Sequence, residues 1–550
     1  MTSASTFRKR TLAVLGGTAV AAFALAGCSG SGGSNNGGSS TLTVGTTDKV
    51  TSLDPAGSYD NGSFAIMNQV YPFLMNSKPG SSDVEPDIAT SASFTAPNDY
   101  TVVLKKDLTF ANGDKLTSSD VKFSFDRMVK LGAKLGPSSL LGNLDSVEAT
   151  DPTTVVFHLK SANDQVWPQI LSSPAAPIVD EQVFSADKIT SDDAIVKGHA
   201  FAGQYDISSY KFNQLVQFKA FKGYKGMLGA PKTATINLKY YTDQSNMKLD
   251  VQKGGIDVAA RSLSATDVED LQKDKNVTVT TGPGGEIRYI VFNFKTQPFG
   301  TGTPEADPAK ALAVRQAMAD LVDRAAIAKQ VYKGTYLPLY SFVPDGLVGA
   351  NTALKSLYGD GDGGPSLSKA KKTLEDAGIT TPVVLNLQYN TDHYGASSTD
   401  EYALVKSQLE ASKLFTVNLQ STEYVQYSKD RVADVYPEYQ LGWFPDYSDA
   451  DNYLSPFFLP TKDESGNTVY GGFLSNYYRD DDAISLIQQQ AVETDKAKRT
   501  QDIQDAQDKL AADLPTLPLL QGAQVVVEGK DVKGVTLDAS FKFRFGTLSK

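Results

Sequence analysis

The fold of this chain is decided by the stretch Phe110-Ala-Asn-Gly-Asp-Lys-Leu-Thr-Ser-Ser-Asp-Val-Lys-Phe-Ser-Phe-Asp-Arg127. Within it, Asn112-Gly113 predicts a turn, and Thr117 and Asp120 have the spacing of a capping box at the start of a helix. Four apolar residues then recur at helical spacing and predict one face packed in the core: Val121, Phe125, Met128 and Val129. The stretch therefore predicts a turn followed by an amphipathic helix.

Strand and helix patterns alternate on both sides of this stretch. Strands are predicted at residues 41–45, 101–104 and 289–294. Helices are predicted from Ala309, after Asp307-Pro308, to about Tyr332, and at residues 368–376, 483–492 and 496–510. The alternation indicates an α/β or α+β class. Since 550 residues exceed what one core usually holds, we expect two or three lobes.

The N-terminus has the pattern of a bacterial lipoprotein signal. Arg8, Lys9 and Arg10 precede a short apolar run, Thr11 to Ala26, which is typical of a signal peptide rather than a membrane span. Leu25-Ala26-Gly27-Cys28 resembles the lipobox, and Cys28 is the only cysteine. We therefore predict a signal peptide at 1–27, a lipid-anchored Gly/Ser tether at 28–40, and a location outside the cytoplasm, on the outer face of the cell membrane.

The charge of the chain excludes several partners. Loss of Arg8, Lys9 and Arg10 would take the formal net charge from −11 to −14. Such a chain is not expected to bind nucleic acid through phosphate contacts. An anionic lipid surface would also repel it, so the membrane contact is expected to be the lipid on Cys28.

Patterns typical of catalytic and metal sites are absent from the sequence, including G-x-S-x-G and H-E-x-x-H. His158, His199 and His393 lack metal-ligand spacing and are expected to be surface or structural residues. Residues 360–364 resemble the start of a calcium loop, but Lys371 stands where a bidentate Glu is needed, so a solvated turn is predicted. We expect a protein that is not an enzyme and has no cofactor or metal. An exported hydrolase remains an alternative, because the many acidic residues offer possible carboxylate pairs.

Several segments in order along the chain resemble the extracytoplasmic solute-binding proteins of family 5, the dipeptide- and oligopeptide-binding lipoproteins of ABC importers. These segments are Ser52-Leu-Asp-Pro55, Val70-Tyr71, Glu85 to Thr90, Phe110 to Arg127, Gly255-Ile-Asp257, Phe292-Asn293, Pro298-Phe299, Val314 to Ala317, Asp323-Arg324, Ala370 to Ile379 and Leu514 to Pro518. They extend over nearly the whole chain after the tether. One departure is Phe201-Ala-Gly-Gln-Tyr205, where the family usually has G-T-G-P-Y.

The resemblance implies a two-domain periplasmic-binding-protein-like fold of type II, in the large family 5 (cluster C) form. Domain I is expected at 41–298 plus 517–550, with an extra lobe at about 80–200. Domain II is expected at 299–516. Two chain crossings between the domains would suit closure around a ligand held between them.

The ligand site implied by the resemblance lies in Leu441-Gly-Trp-Phe-Pro-Asp-Tyr-Ser-Asp-Ala-Asp-Asn-Tyr453. Asp446 matches the residue that accepts the α-ammonium of a peptide, and its other interpretation is a turn cap before Tyr447. Trp443 is expected either as an apolar pocket wall or as core. The backbone of Gly442 to Phe444, and that of Asp60-Asn61, would pair with an extended peptide.

The resemblance also implies candidate residues for a ligand carboxylate. Arg431, twelve residues before Trp443, matches a basic position of oligopeptide binders, and its alternative is a surface ion pair. Gln440 stands where some relatives have a second Arg, and His393 lies near another cation of the family. These residues leave the length of the ligand open.

The resemblance implies that the chain, as a monomer, binds short peptides and delivers them to the transmembrane subunits of an ABC permease. The same fold and transport role with another cargo, such as a nickel chelate, an oligosaccharide or another small solute, is one alternative. An exported hydrolase or a structural surface protein is the other.

Overall fold

The computed structural model describes residues 41–261, 263–390, 393–395, 397–462, 465–539 and 542–550. The predicted signal peptide, Cys28 and the tether lie outside the described residues. The described residues belong to one compact unit. No helix within these ranges is both long enough and apolar enough to cross a membrane.

Strands and helices alternate along the chain, as the sequence predicts. The strands are β1 Thr41–Thr46, β2 Met75–Ser77, β3 Val84–Pro86, β4 Ala89–Ala96, β5 Asp99–Leu104, β6 Leu144–Asp151, β7 Thr154–Leu159, β8 Tyr205–Lys211, β9 Leu215–Ala220, β10 Thr235–Tyr240, β11 Val258–Ala260, β12 Val277–Phe292, β13 Tyr336–Pro338, β14 Val383–Tyr389, β15 Phe415–Ser421, β16 Glu438–Trp443, β17 Thr461–Lys462, β18 Thr468–Val469 and β19 Thr516–Gly529. The α-helices are α1 Asn61–Val70, α2 Ser118–Leu131, α3 Trp167–Ile170, α4 Asp192–Lys197, α5 Gln244–Gln252, α6 Ala265–Leu271, α7 Pro308–Leu321, α8 Arg324–Gln330, α9 Ala353–Leu357, α10 Leu367–Asp376, α11 Ser398–Ala411, α12 Tyr424–Val432, α13 Ser455–Phe458, α14 Asp481–Val492 and α15 Lys496–Asp513.

The largest sheet has eleven strands in the described part of the chain. Their order is β15-β14-β16-β12-β19-β11-β1-β10-β9-β8, with β13 paired beside β19. The long strands β12 and β19 run antiparallel at its centre, and their register shifts between Pro283 and Ile287. Before this shift β12 pairs with β19, and after it β12 also pairs with β16. These two strands therefore connect the two halves of the sheet.

The hydrophobic core divides near the same place. The largest cluster of buried residues runs from Ile287 to Leu520 and adds Ala539. The other clusters are built from residues 42–277 and 526–548. The predicted domain boundaries after residues 298 and 516 lie close to these changes of core and remain a prediction.

A separate four-stranded sheet, β4-β5-β7-β6, lies within the predicted extra lobe at 80–200. Helix α2 packs on it, with the Phe125 ring edge-on to Phe157 at a centroid distance of 4.9 Å. The predicted capping box is confirmed, because Thr117 and Asp120 each bond to the other's backbone. The prediction that Val129 lies on the buried apolar face is wrong, because Val129 is 53% exposed, whereas Arg127 is buried.

The predicted single helix from Ala309 to Tyr332 is wrong, because two helices occupy this segment. Helix α7 ends at Leu321, and Val322 has an extended backbone. The side chain of Asp323 then accepts a hydrogen bond from the backbone N–H of Ala326 and caps α8. A second N-cap inside the segment thus overrides the continuous helical pattern.

Candidate functional site

Strand β16 leads into the segment 441–453, where the sequence predicts the ligand site. It pairs antiparallel with β12, so that Gly442 lies opposite Arg288 and Trp443 lies opposite Ile287. A Cβ atom at Gly442 would come within 3.1 Å of both the Ile287 carbonyl oxygen and the Tyr394 ring. Glycine therefore allows the strand to lie this close to its neighbours, and the chain leaves the sheet immediately after Trp443.

A cavity of about 310 Å³ opens beside this segment. Its lining residues come from two distant regions of the sequence, which we call its two walls: Tyr59, Asp60, Asn61, Phe64 and Pro174 in the first, and His393, Tyr394, Tyr424, Gly442, Trp443, Phe444, Pro445, Asp446 and Phe473 in the second. Its volume lies at the lower end of the range of small-molecule sites, about 300–1,000 Å³. The cavity therefore has room for a small ligand.

The structure brings most of the predicted ligand residues together at this cavity. Those that line it are Asp60, Asn61, Gly442, Trp443, Phe444 and Asp446. Tyr447 and Arg431 do not line it. The ring of Tyr447 packs against another core cluster, and its hydroxyl donates to Asp451 at 3.1 Å. Contact of any of these residues with a ligand remains a prediction.

Asp446 is a carboxyl group with neutral partners. The Tyr59 hydroxyl donates to its Oδ1 atom, and Asn452 Nδ2 donates to its Oδ2 atom at 3.4 Å. Burial raises the pKa of Asp446 above the usual value, and these two hydrogen bonds offset part of that rise. Within the described ranges, no Lys, Arg or His is among the groups that act on it. A cationic group in the cavity would therefore stabilise its ionised form.

Asn452 holds the turn that carries Asp446. Its Oδ1 atom accepts from Trp443 Nε1 at 2.9 Å and from the backbone N–H of Asp446 at 3.0 Å. The side chain is almost fully buried, with 1% exposed. Sequence reasoning missed this role, because no spacing rule distinguishes one Asn in a polar segment from another.

An aromatic wall stands beside Asp446. The Trp443 ring lies edge-on to Phe457 at 5.0 Å and to Phe473 at 5.3 Å. Trp443 is thus both a wall of the cavity and a partner of the core, so its two predicted roles are combined. Phe473 was missed, because it lies thirty residues along the chain in a segment without any recognisable pattern.

Arg431 stabilises the loop that carries Phe473, a residue of this aromatic wall. Its guanidinium donates to the carbonyl oxygens of Phe473 at 2.7 Å and Leu474 at 3.1 Å. It also lies 5.1 Å from the centroid of the Phe473 ring. Because the residue is buried, the predicted surface ion pair is wrong. The structure gives Arg431 the role of fixing the Phe473 loop.

His393 is exposed and lies at the cavity, in keeping with the expectation of a surface or structural residue. Its ring stacks on Tyr424 with centroids 3.8 Å apart and lies edge-on to Tyr394 at 4.7 Å. The other two histidines lie beside acids elsewhere, His158 with Asp99 and His199 with Asp206. In the described part of the chain, no group of three or more His, Cys, Asp or Glu residues could hold a metal ion.

A buried ion pair lies behind Tyr394. Arg288 Nε donates to Glu401 at 2.9 Å, and the two other nitrogens reach the Tyr394 carbonyl oxygen and Ser398 Oγ. Gln440, which stands where some relatives have Arg, donates to the same Ser398 oxygen at 3.0 Å. These bonds hold the Tyr394 loop against β16. Gln440 thus serves the scaffold rather than the cavity.

Known proteins resemble this chain over most of its length. The family model for bacterial extracellular solute-binding proteins, family 5 Middle, matches residues 83–465. The probable D,D-dipeptide-binding periplasmic protein DdpA of Escherichia coli (strain K12) is 24% identical over 522 residues, which cover 92% of this chain and 94% of that protein. The dipeptide-binding protein of the same organism is 24% identical over 517 residues, which cover 89% of this chain and 90% of that protein.

A solved structure shows the same fold. The periplasmic binding protein DppA from Helicobacter pylori, in complex with peptide STSA, superposes with a TM-score of 0.69 at 19% identity and covers 92% of this chain and 98% of its own. The predicted α/β, two-domain type II fold is thereby confirmed. The match of the family model over most of the sequence shows that this chain belongs to family 5 of the bacterial extracellular solute-binding proteins, the solute-binding components of ABC importers.

Proposed function

We propose that this chain binds short peptides in the cavity beside Asp446 and delivers them to the transmembrane subunits of an ABC permease. The observation that carries the proposal is the Asp446 carboxyl group at the cavity wall, which has only neutral partners among the described residues. A peptide's α-ammonium offers three donors and a positive charge, which is the complement of that group. The names of the dipeptide-binding relatives agree with such a cargo.

The rest of the cavity suits an extended peptide of varied sequence. Backbone groups of residues 442–444 and 60–61 lie at its walls and can pair with peptide backbone, while Trp443 and Phe473 offer apolar surface for side chains. Because the walls come from distant parts of the chain, a ligand that touches both would stabilise the closed form. The role is transport without change of any covalent bond.

We also propose that the protein is anchored to the membrane as its N-terminal sequence predicts. Cys28 would carry the lipid, and the folded part would act as a monomer on the outer face of the membrane. Delivery from such a tether requires no affinity of the protein surface for lipid, in keeping with the predicted net charge of −14.

Replacement of Asp446 by Asn is expected to weaken the binding of free-amine peptides by at least about 1 kcal/mol, because a hydrogen bond to a charged group contributes roughly 1.5–3 kcal/mol. N-acetylated peptides should be unaffected. Titration calorimetry with alanine peptides of two to five residues, free and N-acetylated, measures both. Asp434→Asn is the matched control, since Asp434 also accepts from a tyrosine hydroxyl but lies outside the cavity. Equal affinities of unchanged protein for free and acetylated peptides would refute Asp446 as the amine site.

A further inference from the structure

A hydrogen bond joins the two walls of the cavity. The Tyr59 hydroxyl donates to Asp446 Oδ1, although the two residues are 387 positions apart in the sequence. Tyr59 directly precedes helix α1, whose N-cap Asp60 accepts from the backbone N–H of Ser63 at 2.8 Å. Asp446 follows strand β16 on the other wall. Each partner is therefore positioned by its own secondary-structure element.

The two carboxylate oxygens of Asp446 have different hydrogen-bond partners. The Oδ2 atom faces Asn452, which is 1% exposed and lies behind the turn. The Oδ1 atom is bonded by Tyr59, a residue of the opposite cavity wall. Tyr59 thus covers the oxygen that the cavity presents. A donor group that enters the cavity has to take the place of this hydroxyl.

Tyr59 is well placed to move aside. The residue is 43% exposed. Within the described ranges its ring pairs with no other aromatic ring, whereas Trp443 and Phe473 on the opposite wall are packed together. Partial burial of the phenol group and the nearby Asp446 carboxylate both raise the pKa of Tyr59 far above its usual value, so the hydroxyl remains a neutral donor at physiological pH. The bond is one that a stronger donor can replace.

We propose that Tyr59 occupies the place of the ligand's ammonium in the ligand-free protein and is displaced from Asp446 when a peptide binds. The inference rests on the proposed function and extends it. The hydroxyl keeps the partly buried carboxyl group of Asp446 hydrogen-bonded while no ligand is present, which avoids part of the cost of an unsatisfied acceptor. It also sets the affinity, because each amine ligand must first break the bond between Tyr59 and Asp446. When the ligand leaves, the same hydroxyl returns to the carboxylate.

The test compares affinities of free-amine and N-acetylated alanine peptides of two to five residues for the full chain and for Tyr59→Phe. An acetylated peptide has no ammonium and does not displace Tyr59, so it reports any general effect on closure. The ratio of free-amine to acetylated affinity should rise roughly threefold to tenfold in Tyr59→Phe, the value of one net hydrogen bond. Titration calorimetry measures both affinities.

Tyr477→Phe is the matched control. Tyr477 is also 43% exposed and donates its hydroxyl to an aspartate, Asp434, at 2.8 Å, but it lies outside the cavity. Removal of the Tyr477 hydroxyl should leave the ratio of free-amine to acetylated affinity unchanged. A ratio that stays constant or falls in Tyr59→Phe, while Asp446→Asn abolishes the preference for free amines, overturns the inference and leaves the proposed function intact. If no peptide of the series binds the unchanged protein, both are overturned.

Discussion

Replacement of Arg127 by Met is expected to lower the free energy of unfolding by about 3–5 kcal/mol, the usual cost of removing one partner from a buried ion pair. Arg127 donates to Asp54 through two parallel bonds, Nη1 to Oδ1 at 2.8 Å and Nη2 to Oδ2 at 2.6 Å. Both side chains are nearly inaccessible, at 3% and 0% exposed. Without the guanidinium, the Asp54 carboxylate would remain in the core without its counter-charge. Urea denaturation followed by circular dichroism measures the loss.

The same pair links the fold to the cavity. Asp54 also accepts from the backbone N–H groups of Ala56 and Thr190, and thereby fixes the loop that leads to Tyr59. Arg127 ends the stretch that decides the fold, and Asp54 belongs to the Ser52-Leu-Asp-Pro55 segment. Peptide affinity is therefore expected to fall together with stability in Arg127→Met.

Asp126→Asn, the adjacent position on the same helix, provides the control. Asp126 pairs with Lys122 at the surface, where both side chains are close to half exposed. Such pairs contribute at most about 1 kcal/mol. Equal losses in Asp126→Asn and Arg127→Met would contradict the assignment of a structural role to the buried pair.

Stability should depend strongly on pH through Glu438. This residue is 1% exposed at the start of β16, and burial raises its pKa from 4.5 to about 8. Between these two values the unfolded chain has an ionised Glu438, whereas the folded chain keeps it protonated. The folded state then binds the extra proton, so the free energy of unfolding falls as the pH rises through this window. Above pH 8 the free energy of unfolding has fallen by roughly 4–5 kcal/mol through this group.

Glu438→Gln should remove that dependence. The amide is uncharged at every pH in this window. As the pH rises from 5 to 8, the variant is therefore expected to become more stable relative to the unchanged protein. Urea denaturation at both pH values measures the difference, with Glu375→Gln, an exposed position, as control. The prediction fails if the unchanged protein and Glu438→Gln lose the same stability over this range.

Local sequence signals predict the elements that depend on neighbouring residues. The capping box of Thr117 and Asp120 and the helix that follows are present as expected, since a cap needs residues only three positions apart. The segment at 442–446 and the loop at 60–61 lie at one cavity, as the resemblance to family 5 implies. The N-cap at Asp323 was missed because a continuous apolar pattern hides a break in the helix.

Side-chain directions could not be predicted in the same way. Tyr447 follows Asp446 in the sequence but packs into another cluster, because the chain turns after β16. Asn452 and Tyr59 act on Asp446 through contacts that only the folded chain creates. Arg431 binds carbonyl oxygens of a loop more than forty residues away, a contact that its match to a basic position of oligopeptide binders does not reveal. Such roles depend on tertiary packing, and spacing along the sequence does not report them.

Whether the cavity beside Asp446 holds a peptide can be measured by native mass spectrometry of the full chain, purified from its producing cells without denaturation. We expect a one-to-one adduct that dissociates into short peptides with free amino termini and is less abundant in Asp446→Asn. A nickel chelate, an oligosaccharide or another non-peptide solute released from that complex would contradict it.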